Sequence, residues 1–238
     1  MTTSRPTETE ALPAEETTEL ASLYTLLAEG LKHPDRTLHE DVRAGRFDAE
    51  LDRLTDALRI DVPERSVTIP DTRAAFDSEY ISLFEGLETP YAPPVESAYR
   101  QWHDGPGDDG LLSGPPAVEM RRRYRALGVE DTNGYHPDHV ALQLEYAAVL
   151  LSSGATDEHL GFLRDHLGWI EALAALTESA SAAAPFHRRC VSVTRHCLRA
   201  VRDRVGIDHP AAATTTARVR RADARVGDRP SAEAPKKR

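Results

Sequence analysis

Apolar residues recur along this chain at intervals of three and four positions, the spacing of one face of an α-helix. Alternation of apolar and polar residues, which would indicate β-strands, is scarce. The pattern therefore predicts an all-α protein. Its first helix is expected over about residues 14–31, where one face carries Leu20, Leu23, Tyr24, Leu27 and Leu31. His33 and Pro34 end this helix, because proline cannot continue it.

Six further helical segments are predicted between stretches rich in proline, glycine or polar residues. In chain order they cover about residues 51–58, 76–87, 117–127, 137–152, 157–176 and 184–205. Gly128 is expected to end the third of them in C-cap geometry. The connections are brief and no repeat of fixed period is present, which favours a single helical bundle.

The segment that begins at Pro137 is the most informative of the six. Pro137 suits the first position of a helix, and Asp138 would lie in the first turn, where the helix dipole favours an acid. One face carries Val140, Leu144, Ala147 and Leu151, while Leu142 and Val149 lie opposite, beside Glu145. A helix that is apolar on two sides is expected at the centre of the bundle.

Length and composition indicate one helical domain over residues 14–208, flanked by disordered segments at 1–13 and 209–238. No run of about eighteen apolar residues is present, and the N-terminal segment has no signal-peptide core, so we expect a cytoplasmic protein. Cys190 and Cys197 would lie roughly 10 Å apart along one helix, too far for a disulfide. We expect buried, reduced thiols there.

The charge is distributed unevenly along the chain. The net charge is −10, but residues 211–238 hold eight Arg or Lys and three acids, which leaves 21 bases and 36 acids in the rest. An acidic body attracts basic peptides and repels nucleic acid and anionic membranes. Adaptation to high salt would explain the same acidity, and the sequence leaves both explanations open.

Three segments resemble the signatures of a known family of chaperones. The run Tyr80-Ile-Ser-Leu-Phe-Glu-Gly86, followed by Ala92-Pro-Pro-Val-Glu-Ser-Ala-Tyr99, is similar to a signature of the TorD/DmsD (NarJ-like) family. The run His136-Pro-Asp-His-Val-Ala-Leu-Gln-Leu-Glu-Tyr146 is similar to a second signature, in which Glu usually precedes Pro-Asp-His. The segment from Phe162 through Trp169 matches a third. In order and spacing, the resemblance covers about residues 17–205.

The resemblance implies a wholly helical chaperone that catalyses no reaction and carries no cofactor or metal. Its partners would be the apo catalytic subunit of a molybdopterin oxidoreductase, of the DMSO, TMAO or nitrate reductase type, and that subunit's twin-arginine signal peptide. The chaperone would assist cofactor insertion and delay export. Nucleic acid and stable membrane insertion are not expected, and the resemblance is compatible with a monomer or a domain-swapped dimer.

The resemblance also implies which residues bind the peptide, by their position in the motifs: Pro137, Asp138, His139, Ser97, Tyr99 and Gly128. A receptor for two guanidinium groups needs carboxylates beside an apolar groove. Asp138 is the best candidate acid, with Glu96 and Glu145 as helpers, and Tyr99 and Trp102 could stack on a guanidinium. Asp138→Ala is then expected to weaken leader binding by about 1–3 kcal/mol and spare the fold.

Each of these residues also has a purely structural interpretation. Asp138 could stabilise a helix N-terminus, and Ser97 and Gly128 could be caps. His139, Tyr99 and Trp102 could be core residues. Glu145 could pair with a neighbouring base, and Pro137 could only start a helix.

Two other functions are compatible with the sequence. His136, Asp138 and His139 superficially suggest a metal-dependent hydrolase, although a helical zinc site prefers His at i and i+4. No Gly-rich phosphate loop or nucleophile elbow supports that interpretation. A helical regulator or scaffold could instead bind a protein or nucleic acid through the Arg-rich segment 211–238.

Overall fold

A computed structural model describes residues 13–62, 67–86, 91–99, 114–130, 132–180 and 183–210. Nine α-helices and one 3₁₀ turn, but no β-strand, lie within those ranges, which confirms the all-α class. The helices are α1 (Ala14–Leu31), α2 (Arg36–Arg43), α3 (Arg46–Ala57), α4 (Arg73–Phe84), α5 (Pro115–Ala126), α6 (Val140–Ser152), α7 (Thr156–His166), α8 (Ile170–Ser179) and α9 (Pro185–Val205). The 3₁₀ turn is Glu96–Ala98.

The pair α1 and α6 forms the centre of the bundle and has the most extensive helix-to-helix contact. The two helices run in opposite directions. Lys32, just after the end of α1, pairs with Glu145 in the first half of α6, while Thr18 near the start of α1 shares a groove with Ser152 at the end of α6. Helices α3 and α9 pack on α1, α7 packs on α6, and α8 packs on α9.

Aromatic rings join α4 to the rest of the core. Phe76 contacts Phe186 at 5.1 Å and stacks on His187 at 5.0 Å between ring centroids, and Phe186 in turn contacts Phe47 at 5.1 Å. Edge-to-face and offset contacts of this kind stabilise a core beyond the apolar area that they bury. They fix α4 against α3 and α9, although α4 has few backbone-to-backbone contacts with either.

The sequence predicts several helix boundaries well. Helix α1 covers the predicted 14–31, α9 begins one residue after the predicted 184, and Gly128 follows α5 with a φ of 76°, the left-handed geometry expected of a C-cap glycine. Cys190 and Cys197 lie on α9 as buried free thiols, as expected. Burial raises the pKa of each to about 12, so both are unreactive at neutral pH.

Two predictions about helix extent are wrong. The pattern over 157–176 predicted one helix, but α7 ends at His166 and α8 begins at Ile170, because the chain turns at Gly168, a residue of low helix propensity. Helix α2 was not predicted. Its eight residues are too few for a clear period, yet Asp35 marks its start by accepting a hydrogen bond from the Leu38 amide at 2.8 Å.

The predicted start of α6 is also wrong. The helix begins at Val140, with the His139 ring as its N-cap: Nδ1 accepts from the Ala141 amide at 3.2 Å. Pro137 is therefore not at the first helical position, and Asp138 is not in the first turn. Both residues lie in the turn before the helix, where tertiary contacts hold them.

Some predictions fall outside the described residues. These are the disorder of 1–12 and 211–238 and the role of Trp102. Within the described ranges, no helix combines the length and the apolar character that crossing a bilayer requires.

Gly30 on α1 provides a test of core packing. A Cβ at this position would lie 2.8 Å from Cys190 Sγ and 3.0 Å from Phe47 Cζ. Gly30→Ala is expected to lower the free energy of unfolding by about 1–3 kcal/mol, because overpacking forces neighbouring atoms to move. Gly161→Ala on α7 is the matched control, since its Cβ would have no neighbour within 4 Å. It should be neutral or stabilising by up to about 1 kcal/mol. Equal urea midpoints for the two variants would contradict this packing.

Candidate functional site

Residues 94–99 are fixed to the start of α6 by their backbone. The Glu96 amide donates to the Asp138 carbonyl at 3.0 Å, and the Val140 amide donates to the Pro94 carbonyl at 2.9 Å. Val95 and His139 thereby form an isolated antiparallel bridge. The two motifs of the sequence thus meet in space, although about 40 residues separate them along the chain.

The Asp138 carboxylate reinforces this backbone contact. It is fully buried, and Oδ2 accepts hydrogen bonds from the Ser97 amide at 2.7 Å and from the Ser97 hydroxyl. The other oxygen, Oδ1, lies 3.2 Å from His136 Nδ1. Three donors around one buried carboxylate are what offsets the cost of removing its charge from water.

Glu96 forms a second buried cluster on the same turn. Its Oε2 accepts from Gln143 Nε2 at 2.5 Å and lies 3.2 Å from His166 Nδ1. Gln143 Oε1 in turn accepts from the Trp169 indole at 2.9 Å, and the Trp169 ring stacks on Tyr99 with centroids 5.1 Å apart. We call Glu96, Ser97, Asp138 and Gln143 the carboxylate clamp, because together they join residues 94–99 to α6.

His139 and Pro137 connect the clamp to the surface. His139 is buried, and its Nε2 lies 3.4 Å from the Tyr80 hydroxyl while its ring packs on Tyr135 at 4.9 Å. Burial, with smaller contributions from His136 and Lys32, lowers the pKa of His139 to about 3, so the ring is neutral. The Pro137 carbonyl accepts from the Tyr124 hydroxyl at 2.9 Å.

The predicted peptide-binding residues therefore divide into two groups. Pro137, Asp138, His139, Glu96, Ser97 and Tyr99 are all buried. Asp138 has no exposed oxygen for a guanidinium, and its burial leads us to expect, unlike the sequence alone, that its removal destabilises the fold. Of the described residues of the set, Gly128 and Glu145 alone lie at the surface, and a direct role in peptide binding stays a prediction for every residue of the set.

A groove of about 980 Å³ lies beside the clamp, between α1, the end of α5 and α6. We call it the acidic groove. Its apolar wall contains Leu127, Val129, Leu142, Tyr146 and Val149, and its carboxylates are Glu29, Asp35 and Glu145. Tyr124 and Tyr135, which contact Pro137 and His139 of the second motif, also line it. The Pro137–His139 part of the second motif therefore does not line the groove itself but supports the two tyrosines that do.

Lys32 lies at the floor of the acidic groove between two of its acids. Its Nζ contacts Glu145 Oε1 at 2.6 Å and Glu29 Oε1 at 2.8 Å. Burial alone would lower the pKa of Lys32, but the hydrogen bonds to Glu145 and Glu29 raise it, so the ammonium is charged. The site therefore holds a cation of the protein itself between α1 and α6.

A second groove of about 900 Å³ continues from the first along α1. Thr25, Glu29 and Ser152 line both, and the second extends to Ala14 and Thr156. Its side chains are mostly small or hydroxyl-bearing. The combined groove follows α1 for about 27 Å, the length of an eighteen-residue helix.

Sequence reasoning missed the contribution of α1 to this site. Glu29, Lys32 and Asp35 resemble ordinary surface charges in the sequence. A signal was nevertheless present on α6, where Leu142 and Val149 gave the helix a second apolar side that the core covers only in part, through Leu142. Val149 is 44% exposed, so α6 is central to the bundle but open to solvent on this side.

In the suggested hydrolase site His136 and Asp138 are in contact, but Asp138 and His139 each also have a structural hydrogen-bond partner. The Asp138 carboxylate accepts from Ser97, and His139 Nδ1 accepts from a helix amide. Across the described ranges, no group of three or more His, Cys, Asp or Glu side chains is arranged to hold a metal ion. This geometry gives the hydrolase interpretation no support.

Comparison with known proteins identifies the family. The family model described as "Nitrate reductase delta subunit" matches residues 41–183, which is more than half of the chain. The chain belongs to this family. The matched span contains both motifs and the α5–α6 side of the acidic groove, whereas α1 lies before it. The likeness to TorD/NarJ-type chaperones that the motifs predicted is confirmed.

Curated relatives of this member of the nitrate reductase delta subunit family are named as chaperones. Proteins named "Chaperone protein TorD" from two strains of Vibrio cholerae serotype O1, ATCC 39541 and M66-2, are 30% identical to it over 148 residues. A third from strain ATCC 39315 gives the same identity and coverage. Each match covers 54% of this chain and 64% of the relative, which is slightly less than two thirds of that protein.

The burial of Asp138 in this family member predicts a structural role. Asp138→Ala leaves the Ser97 amide and hydroxyl without their acceptor, and it should lower the free energy of unfolding by about 2–4 kcal/mol. Asp138→Asn is the control, because its amide oxygen can still accept from Ser97, and it should cost less. Urea unfolding followed by circular dichroism measures both. An alanine variant as stable as the parent would contradict the clamp.

Buried histidines predict that the fold is acid-labile. The pKa of His139 is lowered to about 3, and the pKa values of His159 and His187 are lowered to about 4, in each case mainly by burial. Below the unfolded pKa of about 6.5, unfolding takes up a proton at each, so stability is full above that pH and falls as pH drops toward 4. The three together should contribute a slope of about 4 kcal/mol per pH unit near pH 5.

His139→Asn tests one of these contributions, because asparagine can serve as the N-cap of α6 but does not titrate. Urea unfolding at pH 7, 6 and 5 should show that the variant takes up about one proton fewer on unfolding than the parent. An unchanged pH slope would show that His139 does not titrate differently in the two states.

Proposed function

We propose that this chain is a redox-enzyme maturation chaperone that binds the twin-arginine leader of a molybdopterin oxidoreductase subunit in the acidic groove. The family and the chaperone relatives support the broader part of this proposal. The motifs shared with TorD/DmsD proteins support the narrower part. The chaperone would hold the apo subunit until its cofactor is inserted, and so delay export.

The observation that carries the proposal is the chemistry of the groove. Among the described residues, the exposed large apolar side chains are Val118, Leu127, Val129 and Val149, and the last three line the acidic groove together with three carboxylates. Exposed apolar surface that is concentrated in one concave site marks a binding site. A twin-arginine leader carries two guanidinium groups beside an apolar stretch, which complements both features.

Lys32 indicates how such a ligand would bind. Its ammonium pairs with Glu29 and Glu145, so the repulsion between the two acids is offset. A leader guanidinium has a planar set of donors that can bond both oxygens of a carboxylate at once, which an ammonium cannot do. The guanidinium would therefore take over one of these carboxylates while Lys32 keeps the other.

The carboxylate clamp supports the groove from behind. Tyr124 bonds the Pro137 carbonyl and Tyr135 packs on His139, and both tyrosines line the groove. Tyr135 also accepts a hydrogen bond through its hydroxyl from the His33 amide at 2.9 Å, which joins the end of α1 to the same wall. The motif residues would then act on binding by holding the wall in place.

The test is the affinity of a labelled twin-arginine peptide for charge variants of the full chain. Glu29→Gln with Glu145→Gln should weaken binding about five- to thirtyfold, because the charge-assisted bond of the guanidinium to one of these carboxylates is worth about 1–2 kcal/mol when partly shielded from water. Fluorescence anisotropy at low and moderate salt would measure the dissociation constant of the peptide. The parent's affinity should fall with salt more steeply than the variant's.

A charge-matched control separates the site from the overall charge. Glu40→Gln with Glu158→Gln removes two exposed acids outside the groove, and should leave the affinity within about twofold of the parent. Val149→Ser should weaken binding without changing the salt dependence, because it removes only apolar contact. If the groove variant and the control bind the leader equally well, the acidic groove is not the leader site.

A further inference from the structure

We propose that the chain's own segment 211–238 occupies the acidic groove as an internal competitor of the leader, with Arg220 and Arg221 in place of the leader's arginine pair. This inference rests on the proposed function, since it names what regulates access to the same site. It assigns a role to the basic segment that the chaperone function does not otherwise use.

Charge complementarity favours this occupant. Residues 211–238 carry eight Arg or Lys and three acids, whereas the groove lining carries Glu29, Asp35 and Glu145 against Lys32 alone. The other consecutive arginines of the chain lie within α5 and α9. Arg220-Arg221 is the consecutive pair within segment 211–238.

The chain is long enough to reach the groove. A side chain on Gly168 would meet Pro210 at 3.4 Å, which places Pro210 against the turn between α7 and α8. Residues 211–220 can span about 33–36 Å when extended. A folded body of this size has a diameter of about 40 Å, so the segment can cross most of it. Helix α7 packs on α6, one wall of the groove, which shortens the path.

The segment would be a weak competitor and not a permanent occupant. Around its arginine pair the only large apolar residues are Val219 and Val226, and Asp223 would face the groove acids. It offers guanidinium groups but little to the apolar wall formed by Leu142 and Val149. A leader with an apolar stretch would displace it, while a merely basic peptide would not. The segment would thus make the groove select leaders over other cationic sequences.

Tethering makes even weak binding effective. A short flexible connection gives an effective concentration of a few millimolar, so a segment that binds with a dissociation constant near 1 mM weakens an external ligand about three- to tenfold. In the full chain, Arg220→Ser with Arg221→Ser should therefore tighten leader binding about three- to tenfold. The control Arg225→Ser with Arg229→Ser removes equal charge and should have a smaller effect.

A second measurement needs no leader and locates the segment directly. A nitroxide attached to the Ala222→Cys variant should broaden the methyl resonances of Leu142 and Val149 but not those of Leu173 on α8. Cys190 and Cys197 are buried, so they do not take up the label. Adding Arg220→Ser and Arg221→Ser should restore the groove signals, and excess leader should do the same.

The outcomes separate this inference from the proposed function. If the nitroxide leaves the groove methyls unchanged, or if their broadening survives loss of the arginine pair, the internal competitor is ruled out even when the leader binds the groove. A different result is that the segment broadens the groove methyls but the leader neither binds nor displaces it. The internal contact would then be supported, and the proposal that the leader binds in the groove would be wrong. Leader affinity that is equal in the parent and the Arg220/Arg221 variant would also overturn the inference.

Discussion

The structure depends on two buried carboxylates that join distant parts of the chain. Removing an ionised acid from water costs several kcal/mol, so Asp138 and Glu96 are tolerated only where donors surround them. Ser97 supplies two donors to Asp138, and Gln143 supplies one to Glu96. Because few arrangements satisfy both acids at once, they set the register between residues 94–99 and α6. That register positions the tyrosines that form one wall of the acidic groove.

Helical periodicity predicted most of the fold because the core helices bury a single continuous face. The apolar stripe of Leu20, Leu23 and Leu27 predicted α1 correctly, and Gly128 predicted the end of α5. In both helices the local sequence preference and the tertiary packing agree. Prediction failed where a tertiary contact overrides a local signal. Pro137 and Asp138 have the composition of a first helical turn, but the partner of Asp138 is Ser97, 41 residues earlier. No local pattern could reveal that distance.

The expected combination of acids and apolar side chains is present in the groove, most of the predicted binding residues lie elsewhere, and binding of the leader there stays a prediction. An acidic border on an apolar groove was expected, and the structure places acids beside apolar side chains, but Glu145 alone among the predicted acids lies there. Motif residues indicate the family without indicating whether they face solvent. The residue type alone does not distinguish a buried acid with three hydrogen-bond donors from an exposed acid beside a groove. The α1 side of the groove had no motif at all, because Glu29 and Lys32 acquire their role only by facing α6.

The clamp and the groove share a wall, and this determines how binding data on this protein can be interpreted. A substitution at Asp138 or His139 would disturb Tyr124 or Tyr135 through one intervening contact, so it would weaken a groove ligand without touching it. Loss of binding alone therefore cannot identify a contact residue here. A residue that contacts the ligand directly, the role proposed for Glu145, should change affinity and its salt dependence at constant stability, because its charge is partly exposed and its removal leaves the core intact. A substitution in the clamp should mainly lower the free energy of unfolding. It should change the affinity only as far as it moves the tyrosines of the groove wall.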